Sequence, residues 1–416
     1  MKTQKNIMSL FAIYLSCFTL AIMLTSIPSP ASAETSSSSC VSYDSQENQI
    51  YISCKYVDFK DVANNLPDQD ILYPESSNLN EKNWILNAGI TVNKGATLNI
   101  DADDVTWLKI VPGVVNPNAI KVDGSLKVDS VKITSWNTKT NDYVHFSEAT
   151  KYDELQYMKE LRPYIKVNSG ATGPTIIQNS ELAYLGYSCN GCGGISFNGG
   201  DYSILKNNDI HHIYKGFYSK GMGYMLIEDN RVYNNNKYGI DPHSGTHHML
   251  ILNNTVYDNF NAGIICSADC HSLLIEGNTV FNNGHGDNMR GIAVSRNVAN
   301  TIIQNNIVYN EDKCVSIGRN SYDNHIYENS LSQCIYGVYI TKDSANNKIH
   351  DNNIETVGIG LAAASNSNDN IFYSNIVTDV KLQPTWQDAT SSGNKFDNNN
   401  NKPIISFDTL QKKEVN

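Results

Sequence analysis

In the run Lys237-Tyr238-Gly239-Ile240-Asp241-Pro242-His243-Ser244, a phenol, a carboxylate and an imidazole fall within six residues. Alternate side chains of an extended strand share a face, so Asp241 and His243 point the same way, with Tyr238 at the turn before them. A tyrosine and a histidine converging on one point suit proton removal and return on a polar substrate. An imidazole with an ordinary pKa near 6.5 can accept a proton close to neutrality. No Cys/His spacing resembles a zinc site, and no carboxylate pair stands out for glycoside hydrolysis.

The elements that must position these groups are short and repeated. From about residue 175 most repeats hold an apolar pair, an Asn, one variable residue and then Val, Ile or Leu. The Asn positions are Asn208, Asn230, Asn254, Asn278, Asn306, Asn329, Asn353 and Asn375, with Ser180 standing in at the start. Their spacing clusters at 22 to 24 residues, with two steps of 28. A period of this size marks a solenoid, and the leucine-rich pattern is missing. Short β-rich runs separated by Asn and Gly indicate an all-β fold, a right-handed parallel β-helix. Its stacked Asn side chains form amide ladders and tolerate the left-handed backbone of a sharp turn. One coil cannot bury its apolar face alone, so many must stack.

Aligning the coils on the Gly that opens another strand in each repeat places equivalent residues in columns along the axis. One residue before that Gly the column reads Lys215, Tyr238, Ala262, Arg290, Lys313, Tyr336; five after it, Gly221, Ser244, Ala268, Arg296, Arg319, Lys342. Lys220 and His243 lie one step before the second column. The cations at both edges of one strand face, Lys215, Lys220, Arg290, Arg296, Lys313, Arg319 and Lys342, suit a linear polyanion lying along the solenoid. His247 is a further candidate for the groove.

The remainder of the chain is acidic, with a formal net charge of −11 over 416 residues, which argues against a nucleic-acid partner. A row of cations on such a body focuses the field locally. Lys2 and Lys5 precede an apolar run to about Ile27, and Ala31-Ser32-Ala33 reads as a cleavage site, so residues 1–33 are expected to be an export signal. The apolar run is long enough to serve instead as an uncleaved anchor, the one membrane association expected. Residues 34–80 read as an N-terminal cap, 81–380 as the β-helix with a charged, partly helical insertion over 138–162, and 381–416 as a loosely ordered polar tail. Cys40, Cys54, Cys189, Cys192, Cys266, Cys270, Cys314 and Cys334 suit disulfides in an exported chain; Cys40–Cys54 and Cys314–Cys334 are the preferred pairs.

The run Tyr238-Gly-Ile-Asp-Pro-His243 resembles the signature of mannuronan C5-epimerases, β-helix enzymes that invert C5 of D-mannuronate in alginate. Arg162-Pro-Tyr-Ile-Lys166, Glu181-Leu-Ala-Tyr-Leu-Gly-Tyr187, Gly194-Ile-Ser-Phe197, Tyr214-Lys-Gly-Phe-Tyr218 and Gly291-Ile-Ala-Val-Ser-Arg296 are similar to the periplasmic bacterial branch. The resemblance spans roughly residues 160–345. It implies His243 as the base at C5, Tyr238 as proton donor or relay, and Asp241 as the residue that orients them. It also implies a cation on the substrate carboxylate, supplied in that branch by an Arg in the coil after the motif. Here that position is Ala268, which leaves Arg296, one coil further, and Lys220, one coil earlier, to take the part. The glycine- and aspartate-rich calcium repeats of the secreted branch are missing, so no cofactor is expected and calcium is not indicated. A polysaccharide lyase sharing the proton abstraction, and a non-catalytic carbohydrate-binding β-helix, are the alternatives.

Overall fold

Each repeat turns its apolar pair into one inward-facing residue per strand, and that alternation generates the architecture. In the computed structural model residues 40–76, 82–113, 116–146, 161–284 and 289–402 are described. A representative coil runs Leu226–Glu228, Arg231–Tyr233 and Tyr238–His243, with Ile227, Val232 and Ile240 fully buried. Each strand pairs in parallel with its equivalents in the coils before and after, for example Ile227 with Leu205 and Ile251. Three ladders result, named here in the order in which a coil visits them. The first is a 13-stranded sheet. The second and third merge at the C-terminal end, where Asn353–Ala363 and Ile376–Gln387 run unbroken through both. The fold is a right-handed parallel β-helix, as expected.

The helix begins on a hairpin, Val41–Asp44 with Gln49–Ile52, and on a six-residue helix, Phe59–Asn64, that buries Phe59 and Val62. It does not stop near residue 380. Strands Lys395–Asp397 and Asn400–Lys402 continue the first and second ladders, so the last described coils are part of the array. Within the 138–162 insertion, residues 147–160 lie outside the described residues. Residues 137–142 form a tight antiparallel bridge, Asn137 to Asp142. The 1–33 segment and most of the 381–416 tail beyond residue 402 also lie outside them. No described helix is long and apolar enough to cross a membrane.

The amide ladder is present, with a correction at one position. Asn208, Asn230, Asn254, Asn278, Asn306, Asn329, Asn352 and Asn375 form it: Asn352, not Asn353, is buried and bonded to Asn329 and Asn375. Each side-chain oxygen accepts from the amide of the preceding coil, as Asn254 Oδ1 does from Asn230 Nδ2 at 2.9 Å. The ladder asparagines are not the left-handed residues. The residue before each one is, as at Asn207, Asp229, Asn253, Gly277 and Asp351, so the turn strain falls on neighbours that tolerate it while Asn supplies bonds to orphan turn groups. A second amide column, Asn235–Asn259–Asn283, supports the corner between the second and third ladders and ends on Glu311. Outside the second ladder His211, Tyr233, Tyr257, Phe281 and Tyr309 stack with centroids 4.8 to 5.0 Å apart.

The glycine opening each third-ladder strand is required by close approach. A Cβ on Gly239 would stand 2.6 Å from the carbonyl oxygen of Gly263 and 2.6 Å from Val256 Cγ1. At the equivalent place Cys314 is instead bonded to Cys334, the expected pair. Cys40 and Cys54 are both disulfide-bonded, Cys189 pairs with Cys192, and Cys266 and Cys270 are buried thiols.

Glu311 replaces an amide in a buried column, and burial pushes its carboxyl up to about 8. The folded state therefore holds a proton that the unfolded chain releases near the ordinary value. That contribution is full below the unfolded pKa and is lost as pH rises through 8. Glu311→Gln is expected to raise stability at pH 8 by about 1–3 kcal/mol, with the gain shrinking toward pH 5; urea denaturation at the two pH values checks it.

Candidate functional site

The outer face of the third ladder carries the site, and the cross-strand register sets what meets there. Tyr238 lies beside Ala262, then Arg290, Lys313 and Tyr336. His243 pairs with Lys220 on one side and Ser267 on the other. The second column follows from the same register, Ser244 to Ala268, Arg296, Arg319 and Lys342, all with left-handed backbones at the strand's end. Both columns are those read from the sequence. Lys220, Arg296, Arg319 and Lys342 are exposed, and Arg290 and Lys313 half-buried.

Between the two columns sits Asp241, 1% exposed. Lys215 Nζ lies 3.4 Å from its Oδ2, and Oδ1 has no hydrogen-bond partner. Burial raises the carboxyl to about 6, against the pull of Lys215 and then Lys237. Lys215, expected to be a groove cation, is thus engaged as the counter-ion of Asp241. A buried carboxylate without that ammonium would be left uncompensated.

His243 is half-buried, and burial, then Lys215, Arg296 and Lys220, lower its imidazole to about 4. It is neutral at neutral pH and can accept a proton. Its Nδ1 is 2.6 Å from Ser244 Oγ. Arg296 lies two coils from His243 in the register, with Ala268 in the coil between them. Tyr238 packs against Ala262, Ile265 and Ala293. Burial raises its phenol, eased by Lys237, Asn261 and Arg290. Tyr238 and His243 therefore stand at opposite edges of one strand, with Asp241 between them.

Sequence reasoning missed Tyr218. It is the cross-strand partner of Asp241, its ring is 5.8 Å from that of His243, and Lys215 Nζ lies 4.0 Å over it. The signal was present, because Tyr218 falls at the register position of Asp241 one coil earlier. His247 joins a stack with His271 in the turn that follows, at 5.3 Å, and its Nδ1 is 3.0 Å from that of His248. Among the described residues no group of three or more His, Cys, Asp or Glu could hold a metal ion.

Comparison with known proteins gives the class first. A family model described as a right handed beta helix region matches residues 162–289, and one for the periplasmic copper-binding protein NosD matches residues 261–406. In sequence the chain is similar to mannuronan C5-epimerases. That of Pseudomonas fluorescens is 25% identical over 211 residues, 48% of this chain and 36% of the relative. That of Pseudomonas aeruginosa is 26% identical over 212 residues, covering 48% and 35%. The match thus spans about a third of the length of these curated relatives. In fold it is similar to the periplasmic alginate epimerase AlgG, with a TM-score of 0.68 at 19% identity over 84% of both chains. The A-module of the Azotobacter vinelandii mannuronan C-5 epimerase AlgE4 matches at a TM-score of 0.54 and 15% identity, over 74% of this chain and 87% of that one. The resemblance drawn from the Tyr238–His243 run is borne out.

If both His243 and Asp241 must be unprotonated, the higher value governs the acid limb. Any turnover that depends on both is expected to fall below about pH 6 in the wild type. In Asp241→Asn the residual activity should instead hold down to about pH 4, where His243 titrates. A kcat/KM profile against pH for the two proteins checks this.

Proposed function

We propose that the chain is an exported epimerase that inverts C5 of D-mannuronate residues within an alginate-like uronate polymer. The observation that carries this reading is the neutral, half-buried His243 set opposite Tyr238 on one strand whose edges continue as rows of cations. The similarity to mannuronan C5-epimerases supports it in sequence, and the β-helix in scaffold.

In this reading the imidazole of His243 takes the C5 proton. The electron pair left at C5 delocalises into the adjacent carboxylate, giving an enediolate-like dianion. Arg296 and Lys220 stabilise that second negative charge, and such preorganised electrostatics is expected to supply most of the rate acceleration. Tyr238, at the other edge of the strand, returns a proton to the opposite face of C5, directly or through water. Asp241 with Lys215 fixes the strand between the two. Arg290, Lys313, Arg319 and Lys342 hold carboxylates of further residues of the polymer.

Proton NMR of polymannuronate incubated with the protein in D2O tests the reading. Guluronate signals deuterated at C5 are expected, reduced roughly 10²–10⁴-fold in His243→Ala and about 10²-fold in Arg296→Ala. Unsaturated chain ends would overturn inversion in favour of β-elimination. Polymer bound but unchanged would leave a binding protein.

A further inference from the structure

The outer face of the third ladder does not begin at the coil of Tyr238 and His243. Its middle column extends toward the N-terminus: Asp241 pairs with Tyr218, Tyr218 with Ser196 just past a register shift between Gly194 and Ser196, Ser196 with Lys166 and Lys166 with Lys121. Strand alternation fixes the direction of the two lysines. Ile120 and Val122 are fully inside on either side of Lys121, as are Ile165 and Val167 around Lys166. Both lysines therefore stand on the outer face, half-buried.

Two features of this pair are unfavourable for folding alone. Like charges directly opposite each other on neighbouring strands repel, and no ion pair to an acidic side chain is formed by either lysine among the described residues, although the chain as a whole is acidic. The surroundings are also shaped around Lys166. The loop closed by Cys189 and Cys192 runs beside it, and a Cβ on Gly191 would stand 3.1 Å from Lys166 Cε and 3.3 Å from its Nζ. The same loop packs Cys192 against Ala119 and Tyr164 at the strand edge, so it stands as a wall beside the lysines, which stay half-buried. Midway along the column Ser196 Oγ is buried without a hydrogen-bond partner. The ring of Tyr218 then closes the gap to His243.

We propose that Lys121, Lys166 and Tyr218 form the floor of a second stretch of polyanion-binding track, on the N-terminal side of the Tyr238–His243 coil. It rests on the uronan reading above and adds to it the extent and asymmetry of the bound polymer. Coil spacing puts Lys121 about 19 Å from Asp241 along the axis. On this side the cations rise from the middle of the strand, under the polymer. On the other side Arg290, Lys313, Arg296, Arg319 and Lys342 rise from the strand edges, while Ile265 and Ala293 make an apolar floor. The polymer is gripped from below ahead of the reacting residue and from the sides beyond it.

The test is affinity for polymannuronate, measured by affinity electrophoresis at low and at about 0.3 M salt, with dextran as the neutral control. Wild type, the double variant Lys121→Gln/Lys166→Gln and a control lysine on the first ladder, Lys348→Gln, are compared, with epimerisation rates alongside. The double variant is expected to bind roughly fivefold more weakly at low salt, with a flatter salt dependence. Its kcat should stay within about twofold while KM rises, and short oligomers that do not reach Lys166 should be unaffected. Lys348→Gln should match the wild type. The melting temperature of the double variant should be equal or higher, because a repulsion has been removed. Unchanged affinity and KM in the double variant, with an active wild type, would overturn the track alone. A wild type that neither binds nor alters any uronan would overturn the underlying functional reading with it.

Discussion

Coil-to-coil register is the constraint on which the rest of this molecule depends. Parallel strands about 4.8 Å apart carry any residue type repeated in sequence into a straight column, and the column stays straight only if no coil slips. Two constraints prevent slippage. The buried Asn columns bond each turn to the next through side chain and backbone at once. The glycine that opens most third-ladder strands, such as Gly239, lies so close to its neighbour that even a methyl group would be excluded. A one-residue slip would reverse every side chain of a strand between core and surface. The positions of Tyr238, Asp241 and His243 are consequences of that register, and so are the rows of cations on either side.

Electrostatics give the face its function against the balance of the chain. The protein is acidic, yet on the outer third ladder Asp241 is buried and held by Lys215. Burial first, then Lys215 together with Arg296 and Lys220, keeps the imidazole of His243 neutral well below the usual range. An imidazole that resists protonation is a weaker base but an available one in a site crowded with positive charge. A polyanion entering the groove would relieve the repulsion among these cations, so the strain of their alignment is released on binding.

Much of this was legible in the sequence because the repeat is regular. The period gave the solenoid, and the alignment on glycine produced both cation columns with the register later found between strands. What was not legible depended on where a side chain turns. Lys215 stands in the same column as Arg290 and Lys313, yet it alone has a buried carboxylate beside it. Asn352 and Asn353 cannot be told apart by period, since both fit within one residue; only the left-handed residue before the ladder position, Asp351, distinguishes them. Glu311 breaks the amide column by chemical type, so a search for asparagines passes over it. Tyr218, Lys121 and Lys166 lie where the repeat is less regular in sequence, and the strands there pair through a register shift at Gly194–Ser196.

The two coils of 28 residues differ from the others at a single corner. Their additional residues, around 186–193 and 284–289, fall between the second and third ladders, immediately before Gly194 and Arg290 begin their strands. The remaining two corners keep their length, and the first addition is followed by a register shift confined to Gly194–Ser196, beyond which the strands stack again. At the first of these corners the added residues carry the Cys189–Cys192 loop, which stands beside the outer face at Lys166. The scaffold therefore separates the part whose geometry must be kept from the part free to vary in length. Loops can therefore be grafted at this corner, one coil at a time, without redesigning the core.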